Sequence, residues 1–186
     1  AVETIDQQVY QVDRDRRREL LQHLCKRDEW GQTLVFVATK KAAANLANKL
    51  RLNGFQATEL HGGLAQEYRV ASLNRFKSGK ASLLVATDIA ARGIDIPLLA
   101  VVVNFDLPRS PTDYIHRIGR TGRAQQSGVS VTFVDHDTEA HLKLIEKKNY
   151  LQLQRQEVPG FELSGTAPKR VKGPPPTKGK RKSKKD

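Results

Sequence analysis

Short runs of consecutive apolar residues, separated by helix-like stretches, constrain the fold of this sequence most. TLVFVA (33–38) and LAVVVNF (99–105) are continuous rather than alternating, which is typical of strands that are covered on both faces. Their enrichment in β-branched residues favours strands over buried helix segments. Six strands are predicted on this basis: Gln8–Val12, Thr33–Ala38, Gln56–Leu60, Ser82–Ala86, Ala100–Phe105 and Val129–Val134.

Amphipathic helices are predicted between these strands. Apolar residues repeat at helical spacing, and the second and third helices stop before Gly54 and Gly79. The four helices are predicted over Asp13–Arg27, Lys40–Leu52, Gln66–Lys77 and Asp137–Lys148. The alternation predicts an α/β fold, a mostly parallel sheet with helices on both sides. In such sheets ligands bind beyond the carboxyl ends of the strands, so functional residues are expected there.

Charge is concentrated at the carboxyl end of the chain. The 186 residues carry a net charge of +12, and residues 164–186 hold nine Lys and Arg against one acid, Asp186. This stretch also contains Pro174-Pro175-Pro176 and no large apolar residue after Val171. We therefore predict a domain over 1–150, a short extension over 151–163 and a disordered polybasic tail over 164–186. Such a tail favours a salt-sensitive contact with polyanions; a solubilising end or a localisation signal is the alternative.

Several protein classes are disfavoured by composition. The single cysteine, Cys25, rules out an internal disulfide and a cysteine-based zinc cluster, and it fits a reducing compartment, the cytoplasm or alternatively the nucleus. No apolar run approaches the roughly 20 residues of a membrane span, and no signal peptide is visible. The chain has no methionine and begins inside an amphipathic pattern, so we expect it to be a piece of a longer protein.

The segment ATDIAARGID (86–95) follows a predicted strand. Thr87 and Asp88 would place a hydroxyl and a carboxylate at the rim of the sheet, and Gly93 would let the backbone approach a ligand. Asp95 would then accept hydrogen bonds from ligand hydroxyls. The alternative is structural, with Asp88 capping a turn that Gly93 merely permits.

The segment HRIGRTGR (116–123) follows a strong helix-start signature. Ser110 at the N-cap, Pro111 at the first helical position and Asp113 three residues after the cap predict a helix from Pro111 to about Ile118. Arg120 and Arg123 then follow among glycines. Their planar donor groups suit phosphate oxygens, and two of them close together repel each other unless an anion lies between. Surface arginines paired with acids are the alternative.

A third segment, HGGLAQEYR (61–69), places Gly62 and Gly63 before a helix whose first turns carry Arg69. Exposed backbone N–H groups there would suit an anion. A glycine turn with a surface arginine explains the pattern about as well. The five histidines show no spacing typical of a metal site, so none is predicted.

No G-x-x-x-x-G-K-[ST] phosphate-binding loop occurs, and no acidic Mg²⁺-binding box follows a strand. The sequence therefore combines phosphate-seeking arginines with no phosphate loop. That combination indicates arginine fingers supplied to a nucleotide that another domain holds.

Together, LVFVATK (34–40), HGGLAQEYR, ATDIAARGID and HRIGRTGR resemble the C-terminal RecA-like domain of DEAD-box ATP-dependent RNA helicases. The resemblance covers roughly residues 5–150, with the motifs in the family's order. It implies a three-layer αβα sandwich. It also implies an RNA-stimulated ATPase in which ATP and Mg²⁺ are held mainly by the N-terminal domain. RNA, contacted through its backbone, and that N-terminal domain are the implied partners. The isolated chain is then expected to be inactive, because half of the site is missing.

The resemblance also implies roles for individual residues. Arg120 and Arg123 would reach the γ-phosphate, Gly93 and Asp95 would border the ribose, and His116 and Arg117 would couple to the other domain. The implied contacts to the RNA backbone, which carry no base information, are Thr39, Gly62, Arg69 and Thr87.

Two other functions stay open on the sequence. One is a non-catalytic RNA-binding module that acts through the domain and the basic tail, and truncation at Leu163 would distinguish it. The other is a DNA translocase domain, which a comparison of RNA and DNA binding would distinguish through the 2′-hydroxyl.

Overall fold

A computed structural model describes residues 4–122 and 127–165 of the chain. Its strands are β1 Ile5–Gln11, β2 Thr33–Phe36, β3 Ala57–Leu60, β4 Leu83–Ala86, β5 Val101–Asn104, β6 Gly128–Val134 and β7 Arg155–Gln156. Its helices are α1 Arg17–Arg27, α2 Lys40–Leu52, α3 Gln66–Lys77, α4 Asp88–Ala91, α5 Pro111–Ile118 and α6 Glu139–Lys148. A 3₁₀ turn, Arg14–Arg16, precedes α1.

The strands form one sheet in the order β3-β4-β2-β5-β6-β1-β7. Every pairing among the described strands is parallel. The predicted α/β class is therefore confirmed. Because all strands run the same way, their carboxyl ends share one edge of the sheet.

Side chains that alternate along the strands build two cores, one on each face of the sheet. On the first face, α1 and α2 bury leucines such as Leu21 and Leu46 against Val103 and Phe133. On the second face, Phe76 of α3 and Ala90 of α4 pack on β2, β4 and β5. Helices α5 and α6 cover β1 and β6 on that same face. The result is the predicted arrangement of three layers.

The structure differs from the sequence prediction at several element ends. The first helix, predicted from Asp13, starts as the 3₁₀ turn and becomes α-helical at Arg17. The last helix starts at Glu139 rather than Asp137. Helix α4 and strand β7 were not predicted, since four and two residues are too short to show a periodic pattern.

Residues 151–165 pack against the domain. β7 extends the sheet beside β1, and the Phe161 ring lies 5.4 Å from the His23 ring. Ser164 Oγ donates to Asp13 at 2.6 Å. Of the tail predicted over 164–186, only Ser164 and Gly165 fall within the described residues, so the boundaries at 150 and 163 stay predictions. No helix in the described part of the chain has the length and apolar character that a membrane crossing needs.

Candidate nucleotide and RNA site

The residues singled out in the sequence lie at the carboxyl edge of the sheet. Thr39 follows β2, Gly62 follows β3 and Thr87 follows β4. These three strands are neighbours, in the order β3-β4-β2. The structure thus places three of the four candidate RNA contacts along one continuous stretch of this edge.

The two candidate threonines are the N-caps of their helices. Thr39 is exposed, and its hydroxyl accepts from the Ala42 N–H of α2 at 3.1 Å. Thr87 is buried, and its hydroxyl accepts from the Ala90 N–H of α4 at 3.4 Å. Each hydroxyl still has its own hydrogen to donate, which an oxygen of a phosphate can accept.

The loop at Gly62 is shaped by the side chain before it. His61 is 7 % exposed, and its Nδ1 accepts from the Gly63 N–H at 3.1 Å. Its Nε2 lies 3.4 Å from a Glu59 carboxylate oxygen. Gly62 itself is exposed, and Arg69 is half-buried on α3. His61 therefore holds the backbone at which an anion was predicted to bind.

Helix α5 forms as its start signature predicts. The Ser110 hydroxyl accepts from the Asp113 N–H at 3.1 Å, and Pro111 occupies the first helical position. Tyr114 and Ile118 point into the core and fix how the helix rolls on the sheet. That orientation carries Arg117 inward and leaves His116 exposed.

Arg117 is 3 % exposed, and its guanidinium contacts a carboxylate, an amide oxygen, a backbone carbonyl and an aromatic ring. Its guanidinium donates to both carboxylate oxygens of Asp88, at 2.7 and 2.6 Å. It also donates to the Asn104 amide oxygen and the Asp106 carbonyl, at 3.1 and 2.7 Å, and lies 4.8 Å over the Phe36 ring. The buried charge is thus paired with a carboxylate and makes four hydrogen bonds, which offset the cost of burying a cation.

A pocket opens beside Arg117, with a volume of about 150 Å³. It brings together the segment 88–93 and helix α5, which lie far apart in the sequence. Its wall is formed by Phe36, Asp88, Ala91, Arg92, Gly93, Asp113, His116, Arg117 and Arg120. Gly93 has φ +71°, a left-handed conformation that favours glycine, and a side chain there would point into open space.

Arg120 lies at this pocket without an acidic partner among the described residues. It donates to the backbone carbonyls of Ala91 and Ile94, at 2.8 and 3.3 Å. Asp113 of the same helix lies 3.6 Å from Arg92 instead. Neutral carbonyls orient the Arg120 guanidinium but leave its charge uncompensated, which suits an anionic ligand.

Asp95 is exposed beyond the pocket wall, with no hydrogen bond or ion pair to another described residue. Arg123 lies outside the described residues. The described ranges hold no group of three or more His, Cys, Asp or Glu able to bind a metal ion.

Sequence and structure comparisons identify the family. The model of the helicase conserved C-terminal domain matches residues 15–125. In fold, the chain is similar to the Escherichia coli DEAD-box protein SrmB, solved with the regulator RraA, at a TM-score of 0.82 and 36 % identity. That match covers 88 % of this chain and 97 % of the SrmB chain. This chain belongs to the DEAD-box family as a helicase C-terminal domain.

Two further relatives of this DEAD-box domain are informative. The ATP-dependent RNA helicase DBP3 of Phaeosphaeria nodorum is 44 % identical over 161 residues, which are 83 % of this chain and 27 % of the relative. The domain therefore spans about a quarter of that curated relative's length. Saccharomyces cerevisiae Dbp5, solved with RNA and ADP BeF3, matches at 36 % identity and a TM-score of 0.74, covering 83 % of this chain and 42 % of Dbp5.

Sequence reasoning missed one residue that organises this DEAD-box domain's edge. Asp106 follows β5, and its carboxylate accepts from Arg17 of α1 at 3.0 Å and from the Ala38 N–H at 2.8 Å. Its carbonyl accepts from Arg117. Burial lowers the pKa of Arg17, while Asp106 and Asp135 act in the opposite direction. An acid directly after a buried strand was the available signal, but the sequence does not show which distant groups meet it.

Proposed function

We propose that this domain is the C-terminal lobe of an ATP-dependent RNA helicase and that it supplies arginine fingers to ATP held by a second, N-terminal lobe. The observation that carries the proposal is Arg120, which is bonded to backbone carbonyls in the wall of a pocket lined by segments 88–93 and 113–120. Its charge has no carboxylate partner among the described residues. A triphosphate presented by another lobe would supply the missing anion.

The reaction is phosphoryl transfer from ATP to water, in which negative charge spreads over the γ-phosphoryl oxygens. Arg120, and Arg123 after it, would donate hydrogen bonds to those oxygens and stabilise that charge. Because arginine keeps its proton at neutral pH, these residues bind and orient but do not exchange protons. Gly93 and Asp95 would border the ribose, with the Asp95 carboxylate accepting from a hydroxyl. Mg²⁺ would be held mainly by the other lobe.

Arg117 and His116 would couple nucleotide binding between the two lobes to RNA binding. Arg117 joins α5 to Asp88 at the head of α4, and Thr87, directly before Asp88, is a candidate RNA contact. His116 is exposed on the neighbouring position of α5. A movement of α5 on nucleotide binding would therefore shift Asp88 and, with it, the neighbouring Thr87. Coupling of this kind is reciprocal, so ATP and RNA would each tighten the binding of the other.

RNA would bind along the edge formed by the loops after β2, β3 and β4. Thr39, Gly62, Arg69 and Thr87 present hydroxyls, a backbone and a guanidinium, all of which suit phosphate and sugar oxygens rather than base edges. Dbp5 has been solved with RNA and ADP BeF3, and DBP3 is an ATP-dependent RNA helicase; both similarities support RNA as the ligand here.

The test is steady-state ATP hydrolysis by the full-length protein with and without single-stranded RNA. Arg120→Ala should lower kcat by about 10³-fold or more and leave the affinity for ATP nearly unchanged, because the finger acts in the transition state. Lys77→Ala, an exposed cation at the end of α3, is the matched control and should hydrolyse ATP normally. Normal turnover with strongly weakened ATP binding in Arg120→Ala would contradict the proposal.

For the polybasic stretch 164–186 we propose a salt-sensitive contact with RNA that adds to binding by the lobe. Its +8 charge and the absence of large apolar residues after Val171 support this assignment. Truncation after Leu163 should then weaken RNA binding and flatten its salt dependence while ATP hydrolysis at saturating RNA persists. If truncation abolishes RNA binding and Arg69→Ala has no effect, the non-catalytic clamp is the better function.

A further inference from the structure

A groove between α1 and α2 lies on the first face of the sheet, away from the pocket at Arg120. Its volume is about 260 Å³. We call it the α1–α2 groove, and it is lined by Arg14, Asp15, Arg18, Ala42, Asn45, Leu46, Lys49 and Phe105. None of these residues belongs to the motifs from which the nucleotide and RNA roles were inferred.

The groove carries an excess of uncompensated positive charge. Arg14, Arg18 and Lys49 have no ion pair with another described residue, and Asp15 is the one acid in the lining. The two arginines between Arg14 and Arg18 in the sequence do have acidic partners. Arg16 pairs with Glu19, and Arg17 pairs with Asp106 and Asp135. Like charges held close together repel each other, and an anion between them removes that cost.

An aromatic ring lies beside these cations. Phe105 is partly exposed, and its ring packs edge-on against the buried Phe133 ring, with centroids 5.9 Å apart and planes at 71°. That contact holds the ring in place where it lines the groove. Cations that meet phosphates beside an aromatic platform are typical of single-stranded nucleic-acid sites, because a base stacks on the ring. An acidic peptide would bind the cations, but it has no planar base to stack on the ring.

The groove lies next to the candidate RNA edge. Ala42 lines the groove, and its N–H donates to the Thr39 hydroxyl at 3.1 Å. On the other side, Asp106 directly follows Phe105 and accepts from Ala38, the neighbour of Thr39, at 2.8 Å. A strand that binds at Thr39 and continues along α2 would meet Asn45 and Phe105.

The chain's own tail does not fit this groove, because residues 164–186 carry +8 and would be repelled by Arg14, Arg18 and Lys49. The structure assigns the α1–α2 groove to single-stranded RNA. We propose that phosphates of a strand continuing past Thr39 bind its three cations and that a base stacks on Phe105. The inference rests on the proposed function, since it extends an RNA path that begins at Thr39.

The test measures binding of labelled oligouridylate to the full-length protein with a non-hydrolysable ATP analogue, by fluorescence anisotropy over a salt series. One oligonucleotide is short enough to cover only the edge at Thr39, and a second is extended at both ends. The wild type should bind the longer one more tightly. In Arg14→Gln/Arg18→Gln, this gain should be lost, and the slope of log K against log salt should flatten by about 1.4, or about 0.7 per phosphate.

Arg75→Gln/Lys77→Gln removes the same charge at the end of α3, on the opposite face, and serves as the control. Its salt slope and its affinity for both oligonucleotides should match the wild type. Phe105→Leu keeps an apolar side chain but removes the ring, so it should weaken binding of the longer RNA about tenfold without changing the slope. Thermal melting confirms that each variant is folded. If Phe105→Leu does not fold, the comparison of Arg14→Gln/Arg18→Gln with its control decides the test.

The outcomes separate this inference from the proposed function. Normal binding of the short RNA, with the arginine pair and the control behaving alike on the longer RNA, would overturn the groove assignment alone. Absence of binding to either RNA by the wild type would overturn the proposed function and the groove with it. Labelled polyglutamate that binds the wild type but not Arg14→Gln/Arg18→Gln, while both proteins bind the longer RNA equally, would assign the groove to an acidic protein. That result would also overturn the inference.

Discussion

The Arg117 guanidinium and the Asp88 carboxylate are joined by two hydrogen bonds, of 2.7 and 2.6 Å, that tie α5 to the head of α4. Arg117 is 3 % exposed on its side chain, whereas Asp88 is 28 % exposed. The arginine is therefore the member of the pair that depends on its partner. A buried cation left without its counterion is far more costly than a surface charge that water can solvate.

Asp88→Asn should lower the free energy of unfolding by about 2 kcal/mol, because the Arg117 charge stays buried and loses its acid. Asp95→Asn is the matched control, since Asp95 is exposed with no partner among the described residues, and it should change stability by less than about 0.5 kcal/mol. Urea unfolding of the isolated domain measures both. Equal stability of the two variants would show that the Arg117–Asp88 pair contributes nothing.

Helix α5 shows what could be predicted from the sequence. Its start depends on Ser110, Pro111 and Asp113, which lie within one turn of one another, and the structure has the helix over the predicted residues. Its inward-facing residues follow from helical periodicity in the same way. Local chemistry of this kind is readable because all interacting groups are close in sequence.

The surroundings of the arginines could not be predicted on that basis. Arg120 meets carbonyls 26 and 29 residues earlier in the chain, and Arg117 meets Asp88 and Asp106 from two different strand ends. Which strand ends become neighbours depends on the strand order of the sheet, and the sequence pattern does not contain it. β7 is a similar case, since two residues form a strand only because the edge of β1 is available.

Arg17 and Asp106 should show strong energetic coupling. Both belong to a buried network in which Arg17 also binds Asp135 and Asp106 also binds the Ala38 N–H. In a double-mutant cycle with Arg17→Met and Asp106→Asn, the sum of the single losses should exceed the loss in the double variant by about 1–3 kcal/mol. Urea unfolding of the four proteins measures this. Strict additivity would mean that the two side chains do not stabilise each other.

His61 should affect RNA binding although it is buried. Its Nδ1 accepts from the Gly63 N–H, so His61→Ala frees the loop that carries Gly62. If Gly62 contacts RNA as proposed, affinity for RNA should drop about tenfold, the equivalent of one lost hydrogen bond to a charged group. His23→Ala, on the first face of the sheet beside Phe161, is the control and should bind RNA normally. Equal RNA affinities in the two variants would remove His61 from the RNA-binding edge.

The stability of the domain should depend on Glu146 at acid pH. Burial alone would raise the pKa of Glu146, but hydrogen bonds from Arg155 and from the Leu153 N–H outweigh it and hold the pKa below its ordinary value. A carboxyl with a depressed pKa stabilises the fold above its ordinary pKa and loses that contribution as the pH falls through the folded value.

The difference in unfolding free energy between wild type and Glu146→Gln should therefore shrink as the pH falls below 4.5, the ordinary value for this residue. Urea unfolding from neutral to acid pH measures it. Glu157→Gln, which changes an exposed side chain near the same segment, is the control and should change the free energy of unfolding at neutral pH by less than about 0.5 kcal/mol. A pH-independent difference for Glu146→Gln would mean that the carboxylate is not held in its charged form by Arg155.

The isolated chain of residues 1–186 should hydrolyse no ATP above background, with or without RNA. In the proposed function it would contribute cations to the reaction, but its sequence has no phosphate-binding loop, and its described residues hold no cluster of acids able to bind a metal ion. Arginines that stabilise a transition state accelerate nothing when the nucleotide is not positioned. Phosphate release by the chain alone and by the full-length protein, at equal concentration and saturating RNA, measures the contrast. RNA-stimulated turnover by the chain alone at the rate of the full-length protein would show that Arg120 acts on a nucleotide that this domain binds unaided.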